Sequence, residues 1–309
     1  MYPFKRVMIG LDFTLMDKGL IRFASALTEL VEPEDIYFIN IQPELELPQE
    51  IAEAFPVLME EPAEHLRQNM LEEIERNFPN HGQWKDRIHT MVIEGSPRKE
   101  FLHQAEDLDV DLIVMGRKKN RNGTGIVPTQ VANKAKCSVM FLPETPPEEI
   151  NQIVVGCDFS EPARLALEEA LTLRKRASHE VNINMVHVYH VPMGYYKTGR
   201  TESQFAALMR QNAEKRLVKF TEQYELDLTG VKIHFVYGRK KSPAAVLKKL
   251  AKRHQANLII VSARGLGGLS AFLLGSTTEK LLKLVDDQAV LIVKDKDASP
   301  SFREIVEQI

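Results

Sequence analysis

The sequence predicts an α/β protein made of two similar domains, each with a five-stranded, mostly parallel sheet and helices on both faces. Three observations lead to this fold class. The chain has 309 residues, which is more than one domain of average size needs. Short β-branched runs alternate with helical patterns, which is typical of parallel sheets joined by right-handed crossover helices. The pattern of the first half also returns in the second half, which indicates a duplicated domain.

The repeat rests on one constant offset. RVMIGLDFT at 6–14 and QIVVGCDFS at 152–160 each have an apolar run, a glycine, Asp-Phe and a hydroxyl residue, and they lie 146 residues apart (6 to 152). The same offset pairs two further strand-like segments: DIYFINI with VNINMVH, and VDLIVMG with ANLIIVS. Because a repeat of this length is the size of a domain, it indicates two domains and excludes a short-repeat solenoid.

The predicted domains cover 1–145 and 150–295. The junction is expected in PETPPEEIN at 143–151, where prolines and glutamates interrupt the apolar pattern. A tail at 296–309 follows. Its apolar residues are spaced by three and four, which suggests a short amphipathic helix: Phe302, Ile305 and Ile309.

The elements of the second half are the clearest. Five β-branched runs predict strands: QIVVGC, VNINMVHV, VKIHFV, NLIIV and AVLIV. The segment at 161–176 predicts a helix capped by Ser160, with an acidic first turn and a basic last turn, and 242–254 predicts another. This alternation predicts two tandem flavodoxin- or Rossmann-like domains, whose ligand sites lie at the carboxyl ends of the strands.

Composition narrows the classes of partner. Forty basic and forty-three acidic residues give a net charge of -3, so neither nucleic acid nor an anionic membrane surface is an expected partner. The apolar runs are too short for a signal-peptide core or a membrane span, so a cytoplasmic protein is expected. The two cysteines, Cys137 and Cys157, fit no metal spacing and are expected to be buried and reduced.

A glycine-rich stretch, SARGLGGLSAFLLGSTTEK at 262–280, follows the fourth strand of the second half. It contains neither GxxxxGK[ST] nor GxGxxG, so neither of those nucleotide motifs applies. Gly275 and three hydroxyl residues instead open a helix, where free backbone N–H groups and the helix dipole favour an anionic phosphate. The alternative is that Ser276 or Thr277 only caps the helix and the glycines only turn the chain.

With these residues the second half resembles a universal stress protein domain. The ATP-binding branch of that family has an Asp after its first strand and a loop GxxG, nine residues, Gly-Ser/Thr after its fourth. Here DFS stands at 158–160, and Gly265 is followed by nine residues and Gly275-Ser276. The resemblance covers both halves, so the chain resembles a tandem universal stress protein of the adenine nucleotide alpha hydrolase-like superfamily.

The resemblance implies an ATP site in the second half, with Mg or Mn as the accompanying ion. Asp158, next to Phe159, and the backbone around Val188 would hold adenine, and Val261 and Ser262 would lie by the ribose. Serine replaces the family's first glycine at 262, which adds a Cβ where backbone approaches the sugar. The remaining residues would surround the phosphates: Gly265, Gly275, Ser276, Thr277 and Thr278.

The first half departs further from the family pattern. Lys119 stands where the second glycine belongs, no hydroxyl residue follows Gly125 directly, and Pro128 removes a backbone donor. The basic cluster of this loop could attract an anion, although such runs are usually solvated: Arg117, Lys118, Lys119 and Arg121. We expect this half to bind nucleotide weakly or not at all.

No catalytic motif or metal-ligand spacing stands out, and His187 is expected to be a packing residue. The resemblance implies that the two halves pair through their fifth strands, and a homodimer of whole chains is left open. The expected function is a cytoplasmic stress-response regulator or interaction switch that binds ATP in its C-terminal half. The alternatives are a nucleotide-independent interaction module and a slow ATP hydrolase.

Overall fold

The computed structural model describes residues 4–43, 63–118, 126–265 and 274–297. The chain forms two compact units, Tyr2–Glu148 and Glu149–Ser299. The division between them falls within the proline-rich segment predicted as the junction. The expected tail helix around Phe302 lies outside the described residues.

The first unit contains five strands in the order β3-β2-β1-β4-β5, and every adjacent pair is parallel. The strands are β1 (Arg6–Gly10), β2 (Asp35–Gln42), β3 (Ile88–Glu94), β4 (Leu112–Gly116) and β5 (Ser138–Leu142). The helices are α1 (Met16–Val31), α2 (Ala63–Asn77), α3 (His81–Trp84), α4 (Pro97–Asp107) and α5 (Ile126–Lys134). A short 3-10 helix spans Lys85–Arg87.

The second unit repeats this architecture, with the order β8-β7-β6-β9-β10 and parallel pairing throughout. Its strands are β6 (Gln152–Gly156), β7 (Asn182–Tyr189), β8 (Lys232–Tyr237), β9 (Leu258–Ser262) and β10 (Ala289–Val293). Its helices are α6 (Glu161–Arg176), α7 (Glu202–Gln223), α8 (Pro243–Arg253) and α9 (Ser276–Leu284), with a 3-10 helix at Tyr195–Thr198. The predicted fold class is confirmed.

The strand order places a switch point at the carboxyl ends of β6 and β9. The chain leaves β6 towards β7 on one side and arrives at β9 on the other, so right-handed crossovers put the two connecting helices on opposite faces. All five residues of β9 are buried, as expected for a parallel strand covered on both faces. The crevice between the diverging connections is where such sheets bind ligands.

Local capping fixes two helices of the second unit where the sequence predicts them. The Ser160 hydroxyl accepts a hydrogen bond from the Ala163 amide at 3.3 Å, and α6 begins directly after it. Ser242 caps α8 in the same way, through the Ala245 amide at 3.4 Å. A proline in the first turn of each helix suits the starting conformation because its missing N–H would have no helical partner there.

The second strands of the two halves align differently from the sequence pattern. Arg6 of β1 pairs with Asp35 of β2, whereas Gln152 of β6 pairs with Asn182 of β7. Since 182 less 35 is 147, the offset of 146 is wrong by one residue at this strand. Shifting a strand by one residue exchanges its two faces, so this correction changes which side chains are equivalent.

Hydrogen bonds made by two equivalent residues agree with the corrected alignment. Asn40 donates from Nδ2 to the Leu11 carbonyl at 2.9 Å, and His187 donates from Nδ1 to the Cys157 carbonyl at 2.9 Å. Each side chain therefore ties the end of the second strand to the residue that follows the first strand. The same tie is made by an amide in one unit and by an imidazole in the other.

Candidate functional site

The candidate site lies at the carboxyl rim of the second sheet, where the loop after β9 meets the start of α9. The Gly275 amide donates to the Ala263 carbonyl at 2.7 Å, which holds the helix start against the end of the strand. Gly275 occupies the N-cap position, and no side chain in the described part of the chain caps the helix. The positive end of the α9 dipole therefore faces this rim.

The three hydroxyl residues that open α9 point in different directions. Thr278 is buried, and its Oγ1 donates to the Ser262 carbonyl at 2.9 Å. Ser276 is exposed and Thr277 is half-buried. The Thr278 hydroxyl is therefore engaged by β9, which leaves Ser276 and Thr277 as the hydroxyls on the outer side of the helix start.

Ser262 also turns its hydroxyl towards the protein. Its Oγ donates to the Arg264 carbonyl at 2.5 Å, and the residue is only 8% exposed. The serine that replaces the family's glycine thus satisfies a carbonyl of its own loop. Val261, which precedes it, is buried as well, so these two residues can meet a ligand chiefly through their backbone.

Gly265 brings the loop against the end of the first strand of this unit. A Cβ atom built on Gly265 would collide with the Asp158 carboxylate, so the absence of a side chain permits this approach. Asp158 also accepts a hydrogen bond from the Ser160 amide at 3.0 Å through Oδ1. The structure therefore juxtaposes Asp158 and Gly265, two predicted site residues that are far apart in the sequence.

An aromatic cluster stands beside Asp158. Phe159 has a left-handed backbone, with φ of 62°, and its ring stacks on His187 with the ring centroids 4.2 Å apart. Phe220 of α7 packs against the Phe159 ring, with the two ring centroids 5.7 Å apart. His187 is buried, which agrees with its expected packing role, and burial lowers its pKa. The neutral imidazole is therefore the form that packs here.

Arg216 is a site neighbour that the sequence did not reveal. Its guanidinium donates to the Asp158 carbonyl at 3.1 Å and lies over the Phe159 ring, 5.3 Å from the centroid. It comes from the middle of α7, and no motif marks it in the sequence. Val188, the remaining predicted adenine neighbour, is half-buried near the end of β7.

The corresponding rim of the first unit has different chemistry. Lys118 forms an ion pair with Asp12 at 2.6 Å, and the Thr14 hydroxyl donates to the same carboxylate at 2.6 Å. A Cβ atom on Gly116 would lie 2.6 Å from the Met16 sulfur, so that side chain covers the backbone where a sugar would approach. Arg117 is half-buried, whereas Lys119, Arg121 and Gly125 lie outside the described residues.

In the four described segments, no group of three or more His, Cys, Asp or Glu side chains is arranged to hold a metal ion. No helix of those segments combines the length and apolar character needed to cross a bilayer. On the surface of the second unit, Arg239 forms an ion pair with Glu202 at 3.2 Å.

The fold and the rim define a class: two consecutive parallel α/β domains with a glycine-lined helix start at the switch point of the second. The model of the universal stress protein family matches residues 3–143 and 149–294. The chain belongs to the universal stress protein family, as a tandem of two such domains, and the predicted resemblance is confirmed.

One sequence relative and two solved structures show what the chain is similar to. Universal stress protein YxiE of Bacillus subtilis is 29% identical over 148 residues, which are 47% of this chain and 99% of the relative. A universal stress protein structure from Archaeoglobus fulgidus aligns with a TM-score of 0.59 at 17% identity, covering 94% of this chain and 96% of that one. The functionally unknown protein PA1789 of Pseudomonas aeruginosa aligns with a TM-score of 0.61 at 11% identity, covering 99% and 98%. These two structural similarities concern the fold alone.

Proposed function

We propose that the second unit binds an adenine nucleotide, ATP in the first instance, and that the chain acts as a stress-response interaction switch. One observation carries this proposal: among the described residues no side chain caps the start of α9, which lies beside Gly265 and, through it, Asp158. An uncapped helix start attracts phosphate oxygens through its N–H groups and its dipole. The Asp158 carboxylate beside Gly265 can accept a hydrogen bond from an adenine amino group.

The proposed roles follow from the positions of the side chains. Asp158 and the backbone near Val188 would hold adenine, while the backbone of Val261 and Ser262 would border the ribose. The phosphates would meet the helix start and its outer hydroxyls: Gly265, Gly275, Ser276 and Thr277. Thr278 would contribute its amide, because its hydroxyl already bonds the Ser262 carbonyl.

In the proposed site, a divalent ion would bind only together with the nucleotide. Since no acidic or histidine cluster is available among the described residues, Mg²⁺ or Mn²⁺ would be held mainly by phosphate oxygens and water. This manner of binding is common for Mg²⁺, which keeps several of its waters. The cytoplasmic setting and the pairing of the two halves belong to the same proposal.

A nucleotide-independent interaction module is the second candidate. The packing of Phe159 against His187, with Arg216 also over the Phe159 ring, favours it because these groups already contact one another at the adenine side. In that case the rim would present a fixed surface to a protein partner. Nucleotide binding would require Phe159 and Arg216 to move so that adenine can enter, whereas the interaction module would leave both side chains in place.

Gly275→Val tests the nucleotide proposal with little risk to the fold. The φ of Gly275 is -64°, and a Cβ there would lie 3.4 Å from the Ala263 carbonyl oxygen, an ordinary contact. The valine methyl groups would instead occupy the proposed phosphate position. We expect calorimetric ATP titration to show binding at least about tenfold weaker than in the unmodified protein. Gly82→Val is a matched control because a Cβ at Gly82 meets no atom within 4 Å.

Mass spectrometry of ligand released from freshly purified protein completes the test. Bound adenine nucleotide, lost in Gly275→Val and kept in Gly82→Val, would support the proposal. Protein that carries no nucleotide and gives no heat up to millimolar ATP would exclude it and leave the interaction module.

A further inference from the structure

The first unit contains a cavity of about 320 Å³ at the carboxyl ends of β1, β2 and β4. Ligand pockets begin at roughly this size, and an apolar cavity of about 150 Å³ is enough to bind benzene. The space therefore suits a molecule of about two fused rings. Its walls include apolar side chains from both strands and helices: Leu11, Met16, Leu20, Ile39, Phe101 and Met115.

The polar groups on the walls largely bond one another. Asn40 donates to the Leu11 carbonyl at 2.9 Å, and its Oδ1 accepts a hydrogen bond from the side-chain Nε2 of Gln42 at 2.5 Å. Asp12 at the edge is neutralised by Lys118 at 2.6 Å. A ligand with many hydrogen-bonding groups would have to break these bonds and would lose free energy for each group left unsatisfied.

The same walls disfavour a nucleotide. Met16 covers Gly116, and the Phe101 ring lies against Gly10, where an added Cβ would approach it within 2.9 Å. The backbone at the ends of β1 and β4 is therefore shielded by apolar side chains. Entry of a sugar and phosphates would require Met16 to leave and the Asp12–Lys118 pair to separate.

We propose that this cavity is a second binding site, which takes an uncharged, planar and mainly apolar molecule about the size of naphthalene. Its ligand class differs from that proposed for the second unit, and the site does not depend on nucleotide binding there. Binding would be driven by removing apolar surface from water. Because the side chains of Asn40 and Gln42 already bond each other, they would offer the ligand at most a few hydrogen bonds.

The direct test uses 2-naphthol and protein labelled with ¹³C at the methionine methyl groups. Met16 and Met115 line the cavity, whereas Met185 is buried in the second unit. An aromatic ring in the cavity should shift the first two methyl signals and leave Met185 in place. Unchanged Met16 and Met115 signals at millimolar 2-naphthol would overturn the proposal.

A pair of matched variants separates the two sites. Ile41 lines the cavity, and the strand register makes Val188 its equivalent in the second unit, since Gly10 pairs with Ile39 and Gly156 with Val186. Ile41→Trp should fill the cavity, weaken 2-naphthol at least about tenfold and leave ATP titrations unchanged. Val188→Trp should leave 2-naphthol binding unchanged and impair ATP.

Two further ligands test the chemical class. If ATP shifted the Met16 and Met115 methyl signals, the cavity would be a nucleotide site and the proposal would be wrong. 2-Naphthoate differs from 2-naphthol mainly by its negative charge, so tighter binding of the acid would show that Arg117 and Lys118 select an anion. Weaker binding of the acid, and no effect of ATP on these signals, would support the proposal.

Discussion

Replacing Glu169 by glutamine should change how the stability of the second unit depends on pH. Glu169 lies on α6 and is only 5% exposed, and burial raises its pKa from 4.5 to about 7, against an opposing effect of the Arg176 charge. Because each pKa unit corresponds to about 1.4 kcal/mol, ionising this carboxyl in the folded protein costs about 3 kcal/mol. Glutamine has nearly the same shape and never ionises.

The sign follows from the raised pKa. Below about pH 4.5 the carboxyl is protonated in both states, so it leaves stability unaffected. Between the two pKa values only the unfolded chain loses the proton, and the folded state loses stability as the pH rises. The advantage of Glu169→Gln should therefore be under about 1 kcal/mol near pH 5 and reach about 3 kcal/mol near pH 8.5.

Urea denaturation followed by hydrogen-exchange mass spectrometry measures this difference because it reads peptides of β6 and β9 directly. Parallel pH curves for the two proteins would refute the reasoning, since they would mean that Glu169 titrates normally in the folded state. A variant less stable at high pH would show that the ionised carboxylate is stabilised by a partner.

Two further expectations concern capping and thiol reactivity. Ser242→Ala should destabilise the protein by about 1 kcal/mol in urea denaturation because it removes the cap of α8. Ser96→Ala should cost much less, since Ser96 occupies the N-cap position of α4 without a side-chain cap bond; equal losses would contradict this account. Burial raises the pKa of the Cys157 thiol to about 12, so iodoacetamide at about pH 8 should modify it only in urea. Labelling of Cys157 in the folded protein, detected by mass spectrometry, would contradict this expectation.

The fold could be predicted largely because its signals are local. The bounds of α6 follow from the cap at Ser160 and from the basic last turn, and both features lie within the helix or next to it. The strands β9 and β10 were recognisable because each is a nearly continuous apolar run whose residues are all buried. Such features depend on neighbours in the sequence.

The register of β2 and β7 could not be predicted in the same way. The apolar pattern of these strands tolerates an offset of either 146 or 147, and pairing with β1 or β6 decides between them. The equivalence of Asn40 and His187 depends on that choice. It becomes visible only when the carbonyls that they bond are placed in space.

The candidate site was predicted in part. The Gly265–Gly275 loop and Asp158 were found from their spacing, whereas Arg216 was missed because it reaches Asp158 from a helix 58 residues further along the chain. The sequence also could not tell which hydroxyl of α9 turns inward. Successive helix positions point in different directions, and contact with β9 selects Thr278 as the buried one.

The first-unit cavity was not predicted at all. Its lining combines side chains from three strands and two helices, so no short segment carries its signature. The sequence indicated only that this half lacks the phosphate loop. The shape and apolar character of the remaining space are tertiary properties.

The turn after the first strand has a consequence for how the two copies can diverge. Phe13 and Phe159 both adopt left-handed backbone angles, φ of 55° and 62°, a conformation that costs an ordinary residue about 1–2 kcal/mol. The first unit has this strained turn at Phe13 even though Lys118 already forms an ion pair with the neighbouring Asp12 carboxylate. This bend therefore belongs to the fold and does not depend on the chemistry of either rim. Phe13 is 40% exposed, whereas the Phe159 ring packs against His187 and Arg216. The two rims can therefore differ in chemistry while the backbone of the turn stays the same.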